Sequence, residues 1–353
     1  MRKLKYQIGI RADASPKIGM GHIMRCMAIA EGLQEKDINV LFISANNYSE
    51  KVLKKNGYRV IVLGTPLEQM ESEHAKLKEL IATQKIDAFL VDSYYASDIC
   101  LKYLQSYVPV IFIDGLYRCK AEVSAVINYN AAADINEYNQ RFQEKNTKFM
   151  IGTQYVPLRT EFRKTQVHKK INERVKNILI TTGAADPYGV LPALLKYIIF
   201  NDYFESATIH VIIGGLVRNR EEIEQFICTC PRIISHYEVS NMREMMQEAD
   251  IAISAAGTTV YELLFMGVPS VIYSIAEVQN NVSALVPAII WAGDIRDFTS
   301  PGKLSQNGVR HIINRTLELA SSYDKRKKMS HLAAQQVDGN GVSRIADVII
   351  KLL

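Results

Sequence analysis

The chain has 353 residues, more than one typical core accommodates, so two domains are the first expectation. With 48% hydrophobic and 22% charged residues it reads as a globular protein, and no stretch resembles a signal peptide or a membrane span. The net charge of +5 gathers in RKTQVHKKINERVK (163–176) and DKRKKM (324–329), which lack interleaved aromatic groups. They read as a solvated linker and a solvated helix end, and a nucleic-acid partner is not expected. Cys26, Cys100, Cys119, Cys228 and Cys230 form no CxxC pair. A disulfide framework is therefore not expected, and a cytoplasmic location is.

In chain order, short β-branched runs alternate with amphipathic stretches of helical length. The first half offers YQIGIRA, NVLFISA, YRVIVLG, DAFLVDS, PVIFIDG and AVINYN, with helical patterns such as MRCMAIAEGLQEK and ESEHAKLKELIATQK between them. That rhythm predicts a parallel sheet covered on both faces. It breaks at 156–176, then resumes with NILITTG, ATIHVIIGG, IISHYEV, IAISAAG and PSVIYSI. The fold class is α/β: two Rossmann-like domains, over 1–160 and 175–353, with a ligand cleft expected between them.

Three strand-to-helix loops carry candidate chemistry. In RADASPKIGMGH, Gly19 and Gly21 precede a helix and His22 begins it. Backbone amides there favour an anion, and a neutral imidazole takes a proton near neutral pH. An ordinary turn with a packing histidine explains the same residues, and spacing alone leaves the two readings undecided. In SAAGTTVYE, Gly257 and Thr258 open a helix after Ser254, and Glu262 follows a turn and a half later. This loop reads as a diphosphate grip with a carboxylate for a ribose diol. TTGAADP, with Gly183 and Asp186, is its counterpart after the first strand of the second domain, and Arg218 in IGGLVRN is a further uracil candidate. Asp13, Asp92 and Asp114 sit at or just beyond strand ends as possible acids or metal ligands. Without HxH, HExxH or DxD, no metal site is expected.

RADASPKIGMGHIMRC, with VDSYY, FIDG, NYNAA, TTGAADP, SAAGTTVYE and VDGNGVSRI, resembles the UDP-2,4-diacetamido-2,4,6-trideoxy-β-L-altropyranose hydrolases of pseudaminic acid biosynthesis. These proteins are often described as spore-coat polysaccharide proteins, and their fold is the GT-B arrangement of the MurG-type glycosyltransferases. The resemblance implies cofactor- and metal-independent, inverting hydrolysis of the anomeric C–O bond, giving UDP and the free sugar that later condenses with phosphoenolpyruvate. It implies His22 and Tyr94 as catalytic residues. Arg11, Asp13, Gly19, Gly21, Gly183, Asp186, Ser254, Gly257, Thr258, Glu262 and Gln279 fall to substrate binding, and a monomer is expected. Where the family carries an Asn-Gln pair, this chain has Val278 before Gln279, and a one-residue shift would let Asn280 serve instead. The alternatives are a GT-B glycosyltransferase or epimerase using another UDP-sugar, or a non-catalytic UDP-sugar-binding protein.

Overall fold

The computed structural model describes residues 6–15, 17–142, 146–163, 169–218, 220–237, 239, 241–300 and 302–353. Pro16 and the stretch 164–168 of the expected linker lie outside them. The chain divides into two units, Met1–Thr160 with Gly339–Leu353, and Glu161–Asp338.

In the first unit the strands are β1 (Gln7–Ala12), β2 (Asn39–Ser44), β3 (Arg59–Val62), β4 (Ala88–Asp92), β5 (Val110–Ile113), β6 (Ala125–Asn128) and β7 (Lys148–Ile151). They form one parallel sheet ordered β3-β2-β1-β4-β5-β6-β7. The second unit holds β8 (Asn177–Thr181), β9 (Thr208–Ile213), β10 (Ile233–Tyr237), β11 (Ile251–Ala255), β12 (Ser270–Ser274) and β13 (Ile290–Asp294), ordered β10-β9-β8-β11-β12-β13. Ile8, Ile10, Phe42, Phe89 and Leu90 have no exposed surface, as apolar runs covered on both faces require.

Both sheets reverse their strand order beside their first strand, between β1 and β4 and between β8 and β11. Neighbouring connections there leave the sheet in opposite directions, which opens a crevice outside the carboxyl ends of the strands. The expected loops follow these strands. The runs not recognised as strands are the edge strands KFMI (β7) and IWAGD (β13). Each pairs on one side only, and β13 carries Gly293 at φ +87° and a register shift against β12.

The second-domain boundaries differ from 175–353 at both ends. Residues 169–176 pack on the second unit: Lys169 Nζ donates to the Met246 carbonyl at 3.1 Å, and Asn172 Nδ2 to Asp250 at 2.7 Å. Burial brings the Lys169 amine down to about 8. The last helix, Gly341–Ile350, packs in the first unit. Its entry is so close that a Cβ at Gly341 would lie 2.2 Å from the Val156 carbonyl oxygen. The DKRKKM run is not wholly solvated either. Arg326 is fully buried and donates to the carbonyls of Leu319, Ala320, Asn172 and Glu173, while Lys327 and Lys328 face outward. No helix among the described residues is long and apolar enough to cross a membrane.

Candidate active site

The β1/β4 switch point gathers the strongest chemistry in the first unit. Ala12 and Asp92 are register partners at the ends of these strands. The loop after β1 is pinched by Gly19, whose amide donates to the Ser15 carbonyl at 2.8 Å and whose φ of +71° suits glycine. Gly21 has no such backbone demand: a Cβ there would meet nothing within 4 Å. The helix Gly21–Gln34 then starts, and its first turn sets His22 against Asp92.

His22 is 2% exposed, and its Nδ1 lies 2.7 Å from Asp92 Oδ1. Arg25, one turn along the same helix face, forks that carboxylate through Nε and Nη2 at 2.5 Å each. Burial alone would raise the Asp92 carboxyl, but Arg25 and then His22 outweigh it and hold Asp92 far below the usual carboxylate range. Asp92 is thus an anion placed to accept a proton from Nδ1, and in the neutral ring with that proton the lone pair is on Nε2. Nε2 is buried and meets no hydrogen-bond partner among the described residues. An imidazole anchored at one nitrogen and open at the other is suited to accept a proton. Tyr94 stands edge-on to it, ring centroids 4.4 Å apart, and burial raises its phenol, so the hydroxyl stays protonated.

Other expected first-domain residues are committed elsewhere. Arg11 has no exposed surface. It binds Glu73 through Nε and Nη2 at 2.7 and 2.8 Å and Asp13 through Nη1 at 2.5 Å. Asp13 also accepts the Ala45 amide at 2.7 Å. Asp114 accepts the amides of Arg118 and Cys119 and the Tyr138 hydroxyl. These acids hold loops together, as their surroundings require of buried charges. Sequence reasoning missed Arg25 and Tyr129, although GHIMRC puts Arg25 three residues from His22. Tyr129, in NYNAA, bonds Arg25 Nη1 at 3.0 Å.

In the second unit, Thr181 and Ser254 pair at the β8/β11 switch point. The two glycine loops near β8 and β9 are closely packed: a Cβ at Gly214 would lie 2.3 Å from the Gly183 carbonyl oxygen and 2.5 Å from that of Ala184. We expect Gly214→Ala to destabilise this unit by about 1–3 kcal/mol through overpacking. Chemical denaturation with an unchanged midpoint would mean the loops separate freely. Gly183 has φ +80°, whereas Gly257 has no positive φ and open space at its Cβ position. Thr258 precedes the helix Thr259–Phe265, in which Glu262 is buried. The hydroxyls of Thr182, just after β8, and Tyr273, opposite Ala255, are buried without hydrogen-bond partners among the described residues. Asp186 caps the helix Val190–Phe200, accepting the Val190 and Leu191 amides at 2.9 and 2.8 Å. Arg218 is exposed. Gln279 Oε1 accepts the Ile275 amide, while Asn280 Oδ1 accepts from the Ser274 hydroxyl and its Nδ2 donates to Asp294.

A cavity of about 440 Å³ lies elsewhere in this unit, lined by Val286, Trp291, Arg315, Lys328 and Met329 among others, and includes none of the expected site residues. The orphaned His22 nitrogen and the switch-point topology locate reactive chemistry more directly than cavity size does. Among the described residues, no three His, Cys, Asp or Glu side chains gather where they could hold one metal ion.

No family model matches the chain. It is 24% identical over 351 residues to the spore coat polysaccharide biosynthesis protein SpsG of Bacillus subtilis, covering 97% of each chain. To the UDP-2,4-diacetamido-2,4,6-trideoxy-β-L-altropyranose hydrolase of Campylobacter jejuni it is 24% identical over 259 residues, covering 72% of this chain and 87% of that one. The chain is a distant relative of both. It is also 25% identical over 286 residues to the uncharacterized protein MJ1062 of Methanocaldococcus jannaschii, covering 78% of this chain but only 57% of that longer protein. Among solved structures, Acinetobacter baumannii MurG aligns at TM-score 0.62 and 18% identity over 98% of this chain and all of that one. The S. aureus MnaA–UDP co-structure aligns at TM-score 0.67 and 13% identity over 99% and 98%. The fold is therefore of the GT-B type.

Proposed function

We propose that this protein hydrolyses a UDP-linked 2,4-diacetamido-2,4,6-trideoxy sugar at its anomeric C–O bond with inversion, in a pathway of the pseudaminic acid kind. The observation that carries the reading is the buried His22, tied through Nδ1 to an ionised Asp92 with Nε2 unpartnered among the described residues. Nε2 takes a proton from water as the water oxygen bonds to the anomeric carbon. The C–O bond to the diphosphate breaks, and UDP leaves with its electron pair. Asp92 keeps Nδ1–H in place and stabilises the imidazolium that forms. Tyr94, protonated and packed against the ring, acts as a hydrogen-bond donor to the substrate.

The second unit supplies the nucleotide grip in this reading. Gly257, like Gly21, meets no steric contact among the described residues that would demand glycine, and both leave room for a ligand beside the backbone. Ser254, Thr258 and Glu262 are assigned by the family resemblance, with Glu262 accepting from the ribose. Glu262→Ala should weaken UDP by about 1–3 kcal/mol, the scale of a lost charged hydrogen bond. Unaltered UDP affinity by calorimetry would remove Glu262 from the site. The activity itself is tested by following UDP release from UDP-2,4-diacetamido-2,4,6-trideoxy-β-L-altrose, with UDP-GlcNAc in parallel. Release from the first alone is expected; release from neither defeats the hydrolase reading.

A further inference from the structure

We infer that Arg25 is a positioning residue that keeps the His22–Asp92 pair from retaining a second proton, so that Nε2 remains a free base. Its consequence for turnover rests on the hydrolase reading; its effect on the imidazole does not.

A buried carboxylate beside a histidine ordinarily favours the imidazolium, which would occupy Nε2 and silence the base. Here the carboxylate is already neutralised by the guanidinium fork. Arg25 Nη2 also lies 3.0 Å from His22 Nδ1. With the ring proton on Nδ1, both nitrogens aim hydrogens at the same Asp92 oxygen, and theirs is then a donor–donor contact. A second ring proton would bring two cations together at that distance. Tyr129 fixes the guanidinium, with its hydroxyl 3.0 Å from Nη1 and its ring centroid 5.9 Å from the guanidinium carbon.

The groups facing this cluster are few. Asp92 comes from the end of β4, Arg25 from the helix that carries His22, and Tyr94 from the loop after β4. Cys26 donates to Asp92 at 3.5 Å, and Tyr129 touches Arg25. Burial, reinforced by Asp92, keeps the Cys26 thiol protonated and pushes the Tyr129 phenol up to about 12, with Arg25 opposing both. Among the described residues, the side-chain charges found at the imidazole are thus those of Asp92 and Arg25. The helix N-terminus acts in the same direction as Arg25 and survives its replacement.

The test is a nitrogen-15 histidine NMR titration of purified wild type, R25M and R25K, with the His22 signal identified by its loss in H22N. R25M should move the His22 midpoint to higher pH, and R25K, which keeps the charge, should leave it near wild type. With the UDP-sugar, R25M should lose more turnover at pH 6 than at pH 8, the ratio between the two changing roughly tenfold. An unmoved midpoint in folded R25M overturns the inference. So does a pH profile parallel to wild type with only kcat lowered, or with only KM raised. Should R25M fail to fold, R25Q, which also removes the charge but keeps a donor to Asp92, takes its place: a raised midpoint there supports the inference and an unmoved one overturns it. A raised R25M midpoint without hydrolysis of the UDP-sugar leaves the inference standing and defeats the hydrolase reading. Hydrolysis with an unmoved midpoint does the reverse.

Discussion

His22→Asn is expected to lower turnover of the UDP-sugar by roughly two to four decades, the scale of losing a positioned general base. Asparagine has a similar reach along its first atoms, so Asp92 stays paired with Arg25 and the helix Gly21–Gln34 stays packed. Its amide takes no proton at neutral pH. UDP affinity should hold, because the segment around Gly257, to which the proposed function gives the nucleotide, belongs to the other unit. Steady-state kinetics with a parallel UDP titration separates the two effects. Turnover near wild type would remove His22 as the base.

Arg11→Met has an equally large effect of another kind. Arg11, Asp13 and Glu73 are each at most 2% exposed, and Thr65 Oγ1 adds a bond to Glu73 at 2.6 Å. Methionine fills most of the arginine stem but leaves two carboxylates buried together without their cation. Breaking a buried pair this way costs about 3–5 kcal/mol. For a unit of this size that lowers Tm on the order of 10 °C. The sequence reading gives Arg11 to the substrate, and the same variant distinguishes the roles. A wild-type melting curve with weakened substrate binding would return Arg11 to the site.

The contrast between these residues explains what a sequence exposes. Interior strands such as FLVD and AISA are legible because burial on both faces demands unbroken apolar runs. Edge strands β7 and β13, each with partly exposed positions, carry weaker demands and lack a legible apolar run. His22 stood out by its glycine loop, yet its partner Asp92 is 70 residues away, and Glu73 lies 62 residues from Arg11. Only the folded chain shows that one aspartate orients an imidazole while Asp13 and Asp114 tie loops. Arg25 was within reach of helical spacing, since positions three apart share a face. The family resemblance points to the loops, and the hydrogen bonds show which side chains are tied within the fold and which keep an unbonded buried atom among the described residues.

The central claim is that water attacks the anomeric carbon. Phosphorus-31 NMR of the UDP-2,4-diacetamido-2,4,6-trideoxy-β-L-altrose reaction in oxygen-18 water tests it most directly. Release of UDP free of oxygen-18 is the result this account predicts, since the diphosphate oxygen departs with its original bond to phosphorus. Oxygen-18 in the β-phosphate, or no UDP release at all, would contradict it.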